Sequence, residues 1–396
     1  MSLLLINDPE NIVAVVLTKV SIFTFLLSLL LPINSYACEA QVGRKIIDQL
    51  MNNQLKHAQR LLSHQIKRAP LDPMNGFFEG AIQWAFSGEG QNKKLAQQAL
   101  STLENSVRHS QQQLQTNPEN PKHLLNSGMS QMLVARAYAG RKQWIAAYKN
   151  GKQARLKLQK LVRDHPDEKD GLIGIGLFEF YTGSVPPGLR WLSKLVNFSG
   201  NRNKGIQLIH QAVKESPMFA PEAGRMVVNE IIYSGSDNLC QYLDLTQTLR
   251  SRYPNNPQFS FAYQKVFNNC GYSQKALNDN HRAQKQFSKY RKTVNRFKAL
   301  KLYMLSNLGK IKELNTSKTT TLRARYHKYI AQGMFYDTRS QRKKAVAFYQ
   351  KAQSLAVNNQ GQNKRLNKNI PYLKKPYKQP TPHAIAKRYP IASGCS

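Results

Sequence analysis

Three short runs share one spacing. Ala58, Leu62, Gln65 and Pro70 are separated by four, three and five residues. Gly205, Ile209, Ala212 and Pro217 repeat that spacing, and Ala345, Tyr349 and Ala352 repeat its first part, with Val357 where the proline would stand. Steps of four and three put such residues on one stripe of an α-helix. Small side chains on the stripe let a second helix pack closely, and proline ends the helix before the next begins. Each run therefore reads as the second helix of an antiparallel hairpin, and the chain as a stack of hairpins.

The remaining pattern is helical too. Ile46, Ile47, Leu50 and Met51 form an apolar stripe; Phe77–Phe86, Leu95–Leu114, His123–Ala139 and Gln143–Val162 follow as helix candidates, and period-two alternation is scarce. Prolines 70, 118, 166, 217 and 254 punctuate the chain at intervals of 48, 48, 51 and 37 residues. The best single unit is late: Tyr329, Gly333, Tyr336, Ala345, Tyr349 and Ala352. This arrangement resembles the tetratricopeptide repeat, whose period is about 34 residues, with units stretched here. The resemblance implies an all-α, tetratricopeptide-like α/α solenoid of about five or six helix pairs. In the late unit, the first-helix positions expected to face a concave groove are His327, Ile330, Met334 and Asp337.

The most distinctive segment spans 171–233. A helix rich in Gly171, Gly174 and Gly176 leads to Val185-Pro186-Pro187, then to a Leu-rich stretch carrying Trp191, then to Asn197-Phe198-Ser199-Gly200-Asn201-Arg202 and Gly205-Ile206. Two prolines suit the first turn of a short helix, where missing N–H groups cost nothing. A helical insertion is thus expected near 183–203. The segment resembles the signature of a eukaryotic tetratricopeptide family, the fungal inclusion-body-clearance proteins and their lipid-linked animal relatives, with Asn201 in place of the usual Asp and Asn197 in place of the usual Gly. The signature residues are Pro186, Pro187, Trp191, Phe198, Gly200, Arg202 and Gly205. The resemblance implies a scaffold without a catalytic role. Two readings of the insertion stand side by side: a helix that covers an irregular repeat junction, or one in which Trp191 forms a groove lip or membrane-contacting wedge.

The N-terminus reads as an address. Lys19, the apolar run Val20–Leu31 and Ser35-Tyr36-Ala37 have the form of a secretory signal over 1–37, which makes Cys38 the first mature residue. A lipoprotein reading of Cys38 and an uncleaved anchor over Ile12–Leu31 fit less well: the residues before Cys38 make a poor lipobox, and Lys19 would sit mid-membrane. The expected location is the bacterial periplasm or cell envelope. In an oxidising compartment the four cysteines become disulfide candidates. Cys240 and Cys270 lie between the helices of adjacent units, so they are the expected pair.

The net charge is +36, and from Leu245 onward 31 Lys and Arg stand against Asp279, Glu313 and Asp337. Such asymmetry favours an anionic surface as partner, or simply solvates the array. The repeat domain is expected over 38–358. Beyond it, 359–396 reads as a basic, Pro-containing disordered tail whose surface candidates are Lys364, Arg365, Lys368, Lys374, Lys375, Lys378, Lys387 and Arg388. Phosphate-loop, nucleophile-elbow and zinc-helix motifs are all missing. His57 and His64 lack a partnering acid, and the acids around Pro166 suit a solvated turn or helix cap. No catalytic residue, metal ligand or cofactor is expected. The leading expectation is a non-enzymatic exported scaffold holding a protein or extended segment in its groove. A peripheral protein on anionic lipid is the alternative, and an envelope enzyme a further one; nucleic acid fits export badly.

Overall fold

The computed structural model describes residues 33–184, 200–232 and 238–355. Pro186, Pro187, Trp191 and Phe198 of the insertion, and the basic candidates from Lys364 to Arg388, lie outside the described residues. The described chain forms successive helix pairs: α1 (Ile33–Met51) with α2 (Leu55–Arg68), α3 (Met74–Phe86) with α4 (Lys93–Thr116), α5 (Pro121–Gly140) with α6 (Trp144–Asp164), and α7 (Gly171–Thr182) with α8 (Arg202–Glu215). Then come α9 (Ala220–Met226), continued by a π-helical turn (Val227–Ile232), with α10 (Leu243–Arg252); α11 (Pro257–Asn269) with α12 (Ser273–Gln286); α13 (Arg291–Asn307) with α14 (Ile311–Thr316); and α15 (Leu322–Asp337) with α16 (Arg342–Leu355). The chain is an all-α, tetratricopeptide-like solenoid. Eight pairs stand among the described residues, more than the five or six expected from proline spacing, because α12 and α14 end without a proline close behind them.

The four–three stripe is the repeat's packing element. Ala58, Leu62 and Gln65 on α2 are buried, as are Gly205, Ile209 and Ala212 on α8 and Ala345, Tyr349 and Ala352 on α16. The same spacing is buried at Ala96, Leu100 and Leu103, at Ala154, Leu158 and Leu161, at Tyr242, Thr246 and Leu249, and at Ala276, Asn280 and Ala283. The partner helix answers with a glycine. A Cβ on Gly128 would lie 2.5 Å from Leu158, and one on Gly333 would lie 2.3 Å from the Tyr349 ring. Starts are set locally: Asn120 and Asn256 cap α5 and α11 through their side-chain oxygens, each ahead of a proline in the first turn.

The array coils back on itself. Arg44 of α1 donates to the Pro217 carbonyl at 3.0 Å. Asp48 accepts from the Tyr253 hydroxyl at 2.6 Å and from Arg252 at 2.9 Å. Asn256 donates to the Met51 carbonyl at 2.7 Å, and the Asn255 N–H donates to Asn52. The first pair thus meets the turn between α10 and α11, and one hydrophobic core runs from Ile46 to Val266. Beyond α11 the pairs continue with two smaller clusters, centred on Phe297 and on Tyr349.

The late groove positions are corrected by this packing. His327, Ile330, Met334 and Asp337 are all buried. The first helix of the last pair sits between α13 and α16, so these side chains meet neighbouring helices: Tyr303 contacts His327 at 2.9 Å, and Tyr349 donates to Asp337 at 3.4 Å. Of the acids around Pro166, expected in a solvated turn or a helix cap, Asp170 takes the capping role. It is 1% exposed, accepts from Ser216 Oγ and from the Met218 and Phe219 N–H groups, and so caps the turn that follows α8.

Candidate functional site: the cavity inside the coil

Closing the first turn of the solenoid leaves a half-open cavity of about 1140 Å³. Its wall comes from α1, α3, α5, α6, α7 and α9, with the starts of α2, α8 and α11. Ile47, Leu55, Met129, Met132, Leu133, Trp144, Tyr148 and Phe178 are among the residues that line it. The first helices of the first five pairs supply most of this wall, and α6 adds Trp144, Ala147, Tyr148 and Gly151. Four of the nine methionines, Met51, Met129, Met132 and Met226, are in the wall.

Charge enters at one side. Arg136 pairs with Glu89 at 3.0 Å and with Glu222 at 3.9 Å. Arg225 pairs with Glu89 at 3.4 Å and donates from Nε to Glu222 at 2.7 Å. Burial works against the Arg225 charge, but Glu222 and Glu89 outweigh it and hold the guanidinium above its ordinary range. These four side chains join the second, third and fifth pairs and satisfy one another.

The ends of the insertion meet at the cavity wall. Glu179, buried on α7, accepts the Asn201 N–H at 2.9 Å and pairs with Arg155 at 2.7 Å. A Cβ on Gly200 would overlap Thr182, and one on Gly205 would lie 2.4 Å from the Phe180 nitrogen, which explains both signature glycines as sites of backbone contact. Arg202 lies over the Phe180 ring at 5.2 Å, is exposed, and has no ion pair among the described residues. Thr182, Ser184 and Arg202 all line the cavity; the Ser184 hydroxyl is buried and unpartnered among the described residues.

The structure joins Cys240 to Cys270, with Cα atoms 5.6 Å apart, and so ties the turn before α10 to the end of α11. Among the described residues no cluster of His, Cys, Asp or Glu has the makings of a metal site. No described helix is long and apolar enough to cross a membrane. His57 and His64 are exposed on α2. The cavity residues, missed in sequence, carried one signal: Trp84, Met129, Met132 and Phe178 sit on helices whose second apolar face the hairpin partner does not need.

No family model matches this chain, and no curated protein does. Among solved structures it is similar to a tetratricopeptide repeat protein from Parabacteroides merdae ATCC 43184, at 15% identity over 83% of this chain and 97% of that one, with a TM-score of 0.23. The fold class rests on the helix pairs themselves.

Proposed function

We propose that this protein is a non-enzymatic binding scaffold of the cell envelope that holds the apolar part of a partner inside its coil. The observation that carries this reading is the apolar cavity made where the first helix pair meets the α10–α11 turn. Helical-repeat solenoids characteristically bind partners, most often proteins, along the inner face. The basic C-terminal third adds an electrostatic contact to an anionic surface, and the N-terminal 37 residues direct export. A photo-crosslinking residue at Met132, in the cavity, and another at Ile145, half exposed on α6, test the site. Adducts from position 132 alone are expected; adducts from 145 alone would move the binding surface to the outside.

A further inference from the structure

The chemistry of the wall narrows what the cavity takes. A buried extended peptide brings an N–H and a C=O at every residue, and each needs a partner. The wall offers few. Met129, Met132, Leu133, Ile173 and Leu177 are in it, the charged groups nearby, Glu89, Arg136, Glu222 and Arg225, are engaged with one another, and the Trp84 indole N–H is the one buried donor there besides Ser184 left unpartnered among the described residues. An acyl chain carries no polar group to satisfy. Methionine side chains, unbranched and polarizable, adapt to a flexible apolar occupant. At Arg202 the character changes. Arg202 is an exposed cation without an ion pair among the described residues, beside the unpartnered Ser184 hydroxyl. A chain of +36 net charge also concentrates anions around itself.

From this we infer that the cavity binds a single-chain amphiphile, its acyl chain among Met129, Met132 and Phe178 and its anionic head at Arg202. The inference rests on the cavity being the binding site. An acyl chain gains by leaving water along its whole length, whereas its head stays at the solvent boundary, where the exposed Arg202 stands. The fit therefore requires an apolar lining and an exposed cation beside it, and this cavity has both.

The purified protein is titrated with palmitate, lysophosphatidylglycerol and lysophosphatidylcholine below their micellar concentrations, with tryptophan fluorescence and native mass spectrometry as readouts. One bound molecule per chain is expected, with saturation. Arg202→Glu is expected to weaken the two anionic ligands about tenfold and to leave lysophosphatidylcholine nearly unchanged, because it reverses one partly screened charge. Met132→Arg should abolish binding of all three; its helical circular dichroism reports whether it folds, and the surface variant Arg202→Glu keeps the test valid if it does not. Absence of saturable binding, or equal loss of all three ligands in Arg202→Glu, overturns the inference. A peptide adduct from position 132 with no amphiphile bound would retain the cavity as the site and replace the occupant; no adduct at 132 would remove both.

Discussion

The Tyr253 hydroxyl donates to Asp48 at 2.6 Å across 205 residues of sequence, and it closes the first turn of the solenoid. Burial, together with this hydrogen bond, pushes the phenol above its ordinary range, so it stays a donor at any physiological pH. Asp48 also takes Arg44 at 3.2 Å and Arg252. Tyr253→Phe is expected to cost about 1–2 kcal/mol, and Asp48→Ala about 2–3 kcal/mol because three donors lose a charged acceptor. Urea unfolding midpoints measure both; an unchanged midpoint for Asp48→Ala would mean that the closure contributes nothing to stability.

The Arg225 network should behave as a unit. Glu222→Ala leaves a buried guanidinium with Glu89 alone, and is expected to destabilise by about 3–5 kcal/mol. Replacing both, Glu222→Ala with Arg225→Met, should recover most of that, since no unpaired charge is then left inside. Thermal melts of the two variants decide the point: equal losses would contradict the pairing.

His327 makes stability depend on pH. Burial, with Arg323 adding to it, pushes the imidazole down to about 4 from its ordinary 6.5. In the unfolded chain the ring takes its proton near 6.5, so the unfolded state binds more protons between those values and stability falls as pH drops from about 6.5 to 4. Above about 6.5 the ring is neutral in both states and the penalty vanishes. The shift corresponds to about 3 kcal/mol by pH 4. His327→Gln should flatten this part of the profile; an unchanged acid limb would assign it to other groups.

Reduction should loosen the α10–α11 region. The Cys240–Cys270 bond closes a loop of 30 residues, worth about 3–4 kcal/mol on loop entropy. Dithiothreitol should lower the melting temperature of the wild type and leave Cys240→Ser/Cys270→Ser unaffected. Mass spectrometry after thiol alkylation of protein isolated from cells shows whether the bond forms in its own compartment.

Gly333 and Tyr349 fit as a pair. Gly333→Val should cost about 1–3 kcal/mol or more through overpacking, and Tyr349→Leu in the same chain should return part of it. Additive losses would show that the two do not share the space.

Much of the fold was legible in the stripe of small and large residues. Ala58-Leu62-Gln65 and Gly205-Ile209-Ala212 named second helices because burial between hairpin partners has a fixed helical period. The site was less legible. His327, Ile330, Met334 and Asp337 share a helix face, and that face packs against α13 and α16 instead of a groove. A helix buried on two sides gives no periodic sign of which side is a neighbour and which is a cavity, and α15 has exposed residues only near its N-terminus.

What the sequence determined by itself was local: helix lengths, caps at Asn120 and Asn256, the hairpin stripes and the glycines that let helices touch. These depend on residues within a turn or two of one another, or on the next helix. Only the tertiary structure decided that Asp48 meets Tyr253, that Glu89 meets Arg225, and that a cavity lies between them. Each pair contributes a small rotation to the solenoid, and where the accumulated coil brings the first pair against the fifth depends on the sum of those rotations. No single stretch of the chain encodes that sum.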